Sequence, residues 1–370
     1  MNTKFSLKRS HKLYALIFLA LIFAIPISLS GCERGGGSSS HSRPSSIPSP
    51  SPSIPPSPSP RPSSPSSYTY AAGNFPDAIA IDFHGNVWVA NRGDGTPGIA
   101  SGDSNVMELS SSGALIGTYI VGSWPYAIAI DSHGNVWVAN WYSGNVTELN
   151  SSGKTLGTYA VGIQPSAIAI DSHGNVWVAN ENWGGHNVTE LSSSGALIGK
   201  YAVGFGSDAI AIDHSGNVWA ANEGNSNVTE LNSSGKTLGT YAVGNEPYAI
   251  AIAPSGNVWV TNWRSNNVTE LSSSGKAIGT YAVGSNSSAI AIDHSGNVWV
   301  ANSGYSNNVT EINSSGTTLL GRYAVGSDPI AIAIAPSGNV WVANAGSDTV
   351  TKLPSITSGP YFPYSGPQWP

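Results

Sequence analysis

The sequence predicts an all-β fold: a seven-bladed β-propeller of four-stranded antiparallel blades, its ring closed by the chain's own N-terminal strand. Three observations carry that expectation. The stretch AIAIDSHGNVWVAN at 127–140 returns letter for letter at 167–180, and five close variants follow the same plan. Its Trp stands at 88, 137, 177, 219, 259, 299 and 341, a period near 40 residues, and a period of that size marks a repeat architecture. Each unit also holds four short strand-forming runs parted by Gly, Asn, Asp and Ser, the pattern of an antiparallel meander.

The unit YAIAIDSHGNVWVANWYSGNVTELNSSGKTLGTYAVG at 126–162 justifies each strand in turn. The first run, AIAI, alternates a small residue with a branched one, and both are apolar. A strand with water on one face would alternate apolar with polar, so this one is covered on both sides, as neighbouring blades would cover it. Alanine suits the crowded axis. The second run, NVWVA, carries a Trp farther out, where the gap between blades widens. The third run is NVTEL and the fourth is GTYAVG. Seven copies of the first three runs are present, the last third strand being TVTKL at 349–353, but only six of the fourth. The missing copy is YTYAAG at 68–73, so residues 68–73 are expected to pair with 349–353 and close the ring. An open solenoid would need capping repeats, and none is written here.

A meander sends its turns alternately to two faces. One face is monotonous. Its first turns read D-x-x-G-N at Asp82, Asp131, Asp171, Asp213 and Asp293, and A-P-S-G-N in the other two copies. Asp and Pro start tight turns and Gly tolerates positive φ, so these Asp residues are read as structural. His84, His133, His173, His214 and His294 occupy the same turns, one per blade, without the neighbouring ligands a zinc site needs.

The other face varies, and loops on a rigid scaffold are where binding resides. Its candidate binding residues are Trp124, Tyr126, Trp141, Tyr142, Trp183, His186, Tyr248, Trp263, Arg264 and Tyr305; aromatics and Arg are common anchors. The residues that start the first strands are expected to ring the axial mouth: Asp77, Tyr126, Ser166, Asp208, Tyr248, Ser288 and Ile330. Each Trp strand ends in Asn, at 91, 140, 180, 222, 262, 302 and 344, and each Asn is expected to bond its own loop backbone.

Through AIAIDSHGNVWVAN and the following NVTEL, residues 68–353 resemble the NHL-repeat and streptogramin-lyase-like (virginiamycin B lyase-like) propellers. The resemblance implies the fold. For the lyases it implies a His and a Glu acting with a divalent metal, Mg2+ being the cofactor expected under that reading alone. Members often carry Glu where this chain has its seven Asn, and no Glu matches His186 by motif, so no catalytic residue is carried over. Glu181, Glu223 and Glu246 stand in other loops without an assigned role. No metal ligand set is assigned. Patterns for a nucleophile elbow, a zinc helix or a P-loop are absent.

The two ends lie outside the repeats. Residues 1–31 read as a signal peptide: Lys4, Lys8, Arg9 and Lys12, then an apolar run from Leu13 to Leu29. Leu29-Ser30-Gly31-Cys32 resembles the bacterial lipobox, which would make Cys32, the only cysteine, the lipid-bearing first residue of the mature chain. Residues 32–67 are a Ser/Pro-rich stalk, expected to be extended and without a core. Residues 354–370 form a Pro- and aromatic-rich tail. Without the signal, 11 Lys and Arg stand against 21 Asp and Glu, a balance of −10 that argues against a nucleic-acid partner.

Five N-x-T triplets are read as a turn Asn followed by a strand Thr, and Arg92-Gly93-Asp94 as a chance tripeptide. The expected molecule is therefore an exported monomer, lipid-anchored to a bacterial membrane, that binds a protein, a glycan or a small molecule through its variable face. A metal-dependent lyase or hydrolase and a purely structural envelope component are the alternatives.

Overall fold

In the computed structural model the described residues are 67–93, 104–181 and 186–355. The signal peptide, Cys32, the stalk to residue 66, Trp183 and the tail from residue 356 lie outside them. The described chain forms seven sheets of four antiparallel strands. In the second blade these are Pro125–Ile130, Val136–Asn140, Asn145–Leu149 and Thr155–Ala160, from axis to rim. Six blades are consecutive. The seventh takes its outer strand from the N-terminus: Tyr68–Ala71 pairs with Thr349–Leu353, Tyr68 opposite Lys352 and Ala71 opposite Thr349. The strand Pro76–Ile81 then packs on Pro329–Ile334 and Val340–Asn344, so first and last blades meet. Among the described residues a single 3-10 turn, Glu223–Asn225, interrupts the strands, and no helix is long and apolar enough to cross a membrane.

There is no central core; the apolar interior is divided into seven layers between blades. Trp137 of the second blade lies among Ile168, Val176, Val178 and Leu191 of the third, and Trp341 of the last lies among Ile79, Val87 and Leu109 of the first. The second strands are buried along their whole length. Removing such a Trp side chain typically costs about 3–5 kcal/mol.

The turn Asp residues do more than shape turns. Asp131 accepts backbone N–H bonds from His133 (2.9 Å) and Asn135 (2.8 Å) on one oxygen, and the Trp137 indole N–H (3.2 Å) on the other. The same indole bond forms at Asp82, Asp171, Asp213 and Asp293. Each Trp is also stacked on a Tyr of its outer strand, as Trp137 is on Tyr159 at 5.5 Å. That Tyr donates to a buried Glu on the third strand, Tyr159 to Glu148 at 2.9 Å. The last blade differs where the N-terminal strand enters. There Tyr70 stacks on Trp341 at 5.6 Å. Lys352 replaces the Glu, sits 5.3 Å from the Trp341 ring and donates to the Ser111 carbonyl of the first blade at 2.9 Å.

The same Tyr reaches the next blade. Tyr119 lies under Gly153, Tyr159 under Gly195, and Tyr70 under Gly113, so closely that a Cβ on any of these glycines would fall about 2 Å from the ring. These glycines also have φ between +76° and +88°. Tyr and Gly therefore form a latch at six of the seven blade junctions, the sixth-to-seventh excepted, and the N-terminal strand supplies the one that shuts the ring.

Two outcomes follow. Gly153→Ala should destabilise the fold by about 2–4 kcal/mol, from left-handed strain and overpacking together. Gly216→Ala should cost only about 1 kcal/mol, because its φ of +81° is alike but its nearest neighbour would be 3.9 Å away. Denaturant melts of both variants measure the latch by difference. Burial, and then the bond to Glu, pushes the phenols of Tyr119, Tyr159, Tyr201, Tyr241 and Tyr281 up to about 12. The folded state thus holds these protons more tightly than the unfolded chain, whose phenols ionise near 10. Their contribution is complete below pH 10 and is lost as pH rises through about 12. Melting temperature should fall across that window, and less steeply in Tyr159→Phe.

Candidate functional site

The loops of the variable face rest on a backbone frame that is the same in every blade. Each Asn that ends a second strand is fully buried. Asn140 donates its amide N–H to Asn145 Oδ1 at 2.8 Å and to Thr147 Oγ1 at 2.9 Å, across to the third strand. Asn222 and Asn262 repeat both bonds. This differs from the Asx-turn expected from sequence. In register Asn140 stands directly opposite Asn145, so its short amide reaches the partner strand first. The Asn series is a clasp at the base of each loop.

The next residue then donates its backbone N–H to the crossing that enters the blade: Arg92 to the Phe75 carbonyl (2.9 Å), Trp141 to Trp124 (2.8 Å), Glu181 to Gln164 (3.0 Å), Glu223 to Gly206 (2.7 Å), Trp263 to Glu246 (2.8 Å). The accepting residues are left-handed, including non-glycines Phe75, Trp124, Gln164, Glu246, Asn286 and Asp328 at φ of 51–57°. Phe75, Trp124, Gln164 and Glu246 each cost about 1–2 kcal/mol there, Asn and Asp less, and strain of this kind collects at functional surfaces. The frame thus presents three side-chain columns that vary from blade to blade: the crossing residue, the first-strand residue, and the residue after the Asn.

The first-strand column does not form an open polar mouth. Tyr126 of the second blade and Tyr248 of the fifth meet across it, hydroxyl to hydroxyl at 3.2 Å. Ser166 donates to the Ser207 carbonyl at 2.6 Å and Ser288 to the Pro329 carbonyl at 2.6 Å, each joining its blade to the next. Ile330 is buried. Asp77 is buried 3.1 Å from Arg92 Nε. Burial, with negative charge from Tyr248, Asp77, Asp208 and Glu181, pushes the Tyr126 phenol well above its ordinary value.

One sector, over the first four blades, gathers the chemistry. Trp124 and Trp141 stack at 5.4 Å, with Tyr142 tilted against Trp124 at 6.0 Å. The Arg92 guanidinium lies 5.2 Å from the Phe75 ring and 5.5 Å from Trp124. Trp141 donates its indole N–H to Glu181 at 3.2 Å. Glu181, Asp208 and Glu223 then bring carboxylate oxygens within 4.8 Å of one another. His186 stands beside Phe205, edge to face at 4.5 Å, and its Nδ1 is buried without a hydrogen-bond partner among the described residues. Three carboxylates are hard oxygen donors, the set that suits Mg2+ or Ca2+ rather than zinc.

The structure therefore brings together Trp124, Trp141 and Tyr142, and joins them to Asp208. His186 lies in the same sector. Trp263, Arg264 and Tyr305 stand on the fifth and sixth blades, Arg264 paired with Glu246 at 3.1 Å and Tyr305 fully exposed. Trp183 lies outside the described residues. Sequence reasoning gave no role to Arg92, Glu181 or Glu223. The signal was available: reading the residue after each Asn as one column gives Arg92, Trp141, Glu181, Glu223, Trp263, Ser303 and Ala345, with two acids in adjacent blades.

None of the family models searched matches the sequence, and no curated protein matches it. Solved structures do match in fold. A streptogramin B lyase structure aligns with a TM-score of 0.66 at 18% identity, covering 77% of this chain and 97% of the other. A catalytically inactive virginiamycin B lyase from Staphylococcus aureus with quinupristin gives 0.67 at 16% identity, over 79% of this chain and 100% of that one. Hydrazine synthase from Kuenenia stuttgartiensis gives 0.67 at 18%, over 77% and 96%. At such identities the likeness is one of fold, and this fold carries many chemistries.

Proposed function

We propose that the chain is an extracytoplasmic binding protein, tethered to a bacterial membrane through Cys32, whose variable face takes a ligand with a planar ring and a positive charge. One observation carries this reading: the Trp141 indole bridges the Trp124 stack to the carboxylates of Glu181, Asp208 and Glu223. A ring laid against the indoles would sit beside three acids, and aromatic faces themselves attract cations. Arg92 is held by Asp77 and by two rings, so it serves to brace Trp124 from behind.

The lipobox-like Leu29-Ser30-Gly31-Cys32 and the stalk support the tether. The propeller's first and last described residues lie at the monotonous face. Tyr68 is opposite Lys352, near the ends of the strands that meet the monotonous face, and Ser355 bonds Asn339 in a first turn of that face.

The carboxylate triad also favours a second reading, a metal-dependent lyase. Glu181, Asp208 and Glu223 would hold a divalent ion, which would supply Lewis-acid polarisation of a substrate oxygen. His186, beside Phe205 in the same sector, is the candidate base.

Intrinsic fluorescence tests the first reading, because Trp141 reports on its own site. A screen of planar cations such as aryl-ammonium compounds should include one that quenches Trp emission. Trp141→Ala and Glu181→Gln should each weaken its binding tenfold or more, while Trp263→Ala leaves it unchanged. Ligands that bind equally well to both sector variants contradict the proposal. A response to Mg2+ alone that vanishes in Glu223→Gln favours the lyase reading instead.

A further inference from the structure

The variable face does not account for the strongest asymmetry on the surface. Of the sixteen large apolar side chains exposed among the described residues, eleven stand at the opposite end, on the turn bearing Phe83 and on the outer-strand ends that meet the monotonous face. A β-bulge in each of six blades places six of them there. In the second blade Glu148 pairs with Gly157 and Leu149 with Thr155, so Leu156 is the extra residue and points out beside its neighbour. The bulge residues are Ile116, Leu156, Ile198, Leu238, Ile278 and Leu320, all exposed. The residue before them drifts between Leu, Thr and Ala, yet the bulge residue is always Leu or Ile. At the far end of the same strands the exposed residue is Ala in five of the six. A soluble rim often exposes single apolar groups, but here one recurs in each of six blades at the same end.

Among the described residues, the exposed charged side chains of that face are Lys154, Lys236 and Lys276 in the third-to-fourth turns, beside five exposed His in the first turns. The acids at that end lie beneath these groups, the turn Asp residues hydrogen-bonded to Trp and backbone and the third-strand Glu residues to Tyr. Exposed lysines and a recurring Leu or Ile thus share the end of the propeller at which Tyr68 stands.

We propose that this face docks on an anionic lipid bilayer, the bulge residues entering the interface and the lysines meeting the headgroups. Apolar insertion and basic attraction add in this arrangement, and a single weak anchor needs such a second contact for stable binding. The orientation rests on the tethered reading above; the surface chemistry does not.

The test uses the mature chain, residues 32–370, with Cys32→Ser so that no lipid contributes. It should co-sediment with phosphatidylglycerol-rich vesicles and not with pure phosphatidylcholine. A triple variant, Leu156→Ser with Ile198→Ser and Leu238→Ser, should lose at least tenfold in vesicle affinity while near-UV circular dichroism stays native. Lys154→Glu with Lys236→Glu and Lys276→Glu should do the same, and Tyr305→Ser should change nothing. Absence of vesicle binding, or binding that both triple variants retain, overturns the proposal. A doubled mass in light scattering without vesicles, abolished by the Leu/Ile triple variant, overturns it in favour of a second copy. Binding seen only after residues 356–370 are deleted assigns the face to the tail. The tether is tested separately, by fractionating cells that carry the full chain with Cys32→Ala, and either result leaves the vesicle experiment decisive.

Discussion

Each blade is held by its neighbour, and the unit of that hold is a Trp–Tyr pair wedged against the next sheet. The Trp fills the widening gap, Asp anchors its indole N–H, and the stacked Tyr slides under a glycine of the following blade. No blade buries its own apolar surface. The inner strands are apolar on both faces and lie partly buried between neighbouring blades, which only a complete ring provides for all seven. The last blade shows how strict this is. Its outer strand comes from the other end of the chain, yet Tyr70 takes the same place on Trp341 and under Gly113. Where Glu would accept the phenol proton, Lys352 instead lies on the Trp ring and bonds the first blade.

That rigidity is what frees one face to vary. The Asn clasp and the left-handed crossing fix the backbone of every upper loop, so substitutions there change chemistry and leave geometry alone. Six bulky residues in left-handed conformation are tolerated because the frame over-determines them. The consequence is a surface that differs strongly from one sector to the next. The first four blades carry stacked indoles and three converging carboxylates, while the fifth carries an exposed Arg–Glu pair, which contributes little to stability, and the sixth a lone exposed Tyr305.

The fold was legible because its causes repeat. Seven Trp at a period near 40 and a displaced YTYAAG were enough to count strands and close the ring. The site was legible only in part. Trp124, Trp141 and Tyr142 stood out by type, but their link to Glu181 depends on which way an indole turns. The triad joins residues 181, 208 and 223 from adjacent blades, and no local spacing marks their meeting. Tyr126 and Tyr248 are 122 positions apart and touch because they face each other across the axis. The Asn series was misread because its partner is fixed by strand register, which a loop-centred view of Asn leaves out.

Closure by the N-terminal strand is the claim on which the layers, the two faces and their division of labour all rest. Hydrogen exchange of the backbone amides in Tyr68–Ala71 and Thr349–Leu353 measures it most directly. A closed ring predicts protection of both strands equal to that of Thr155–Ala160 and Asn145–Leu149 in the second blade. Free-chain exchange rates at 68–71, with 349–353 exchanging as an open edge, would contradict it.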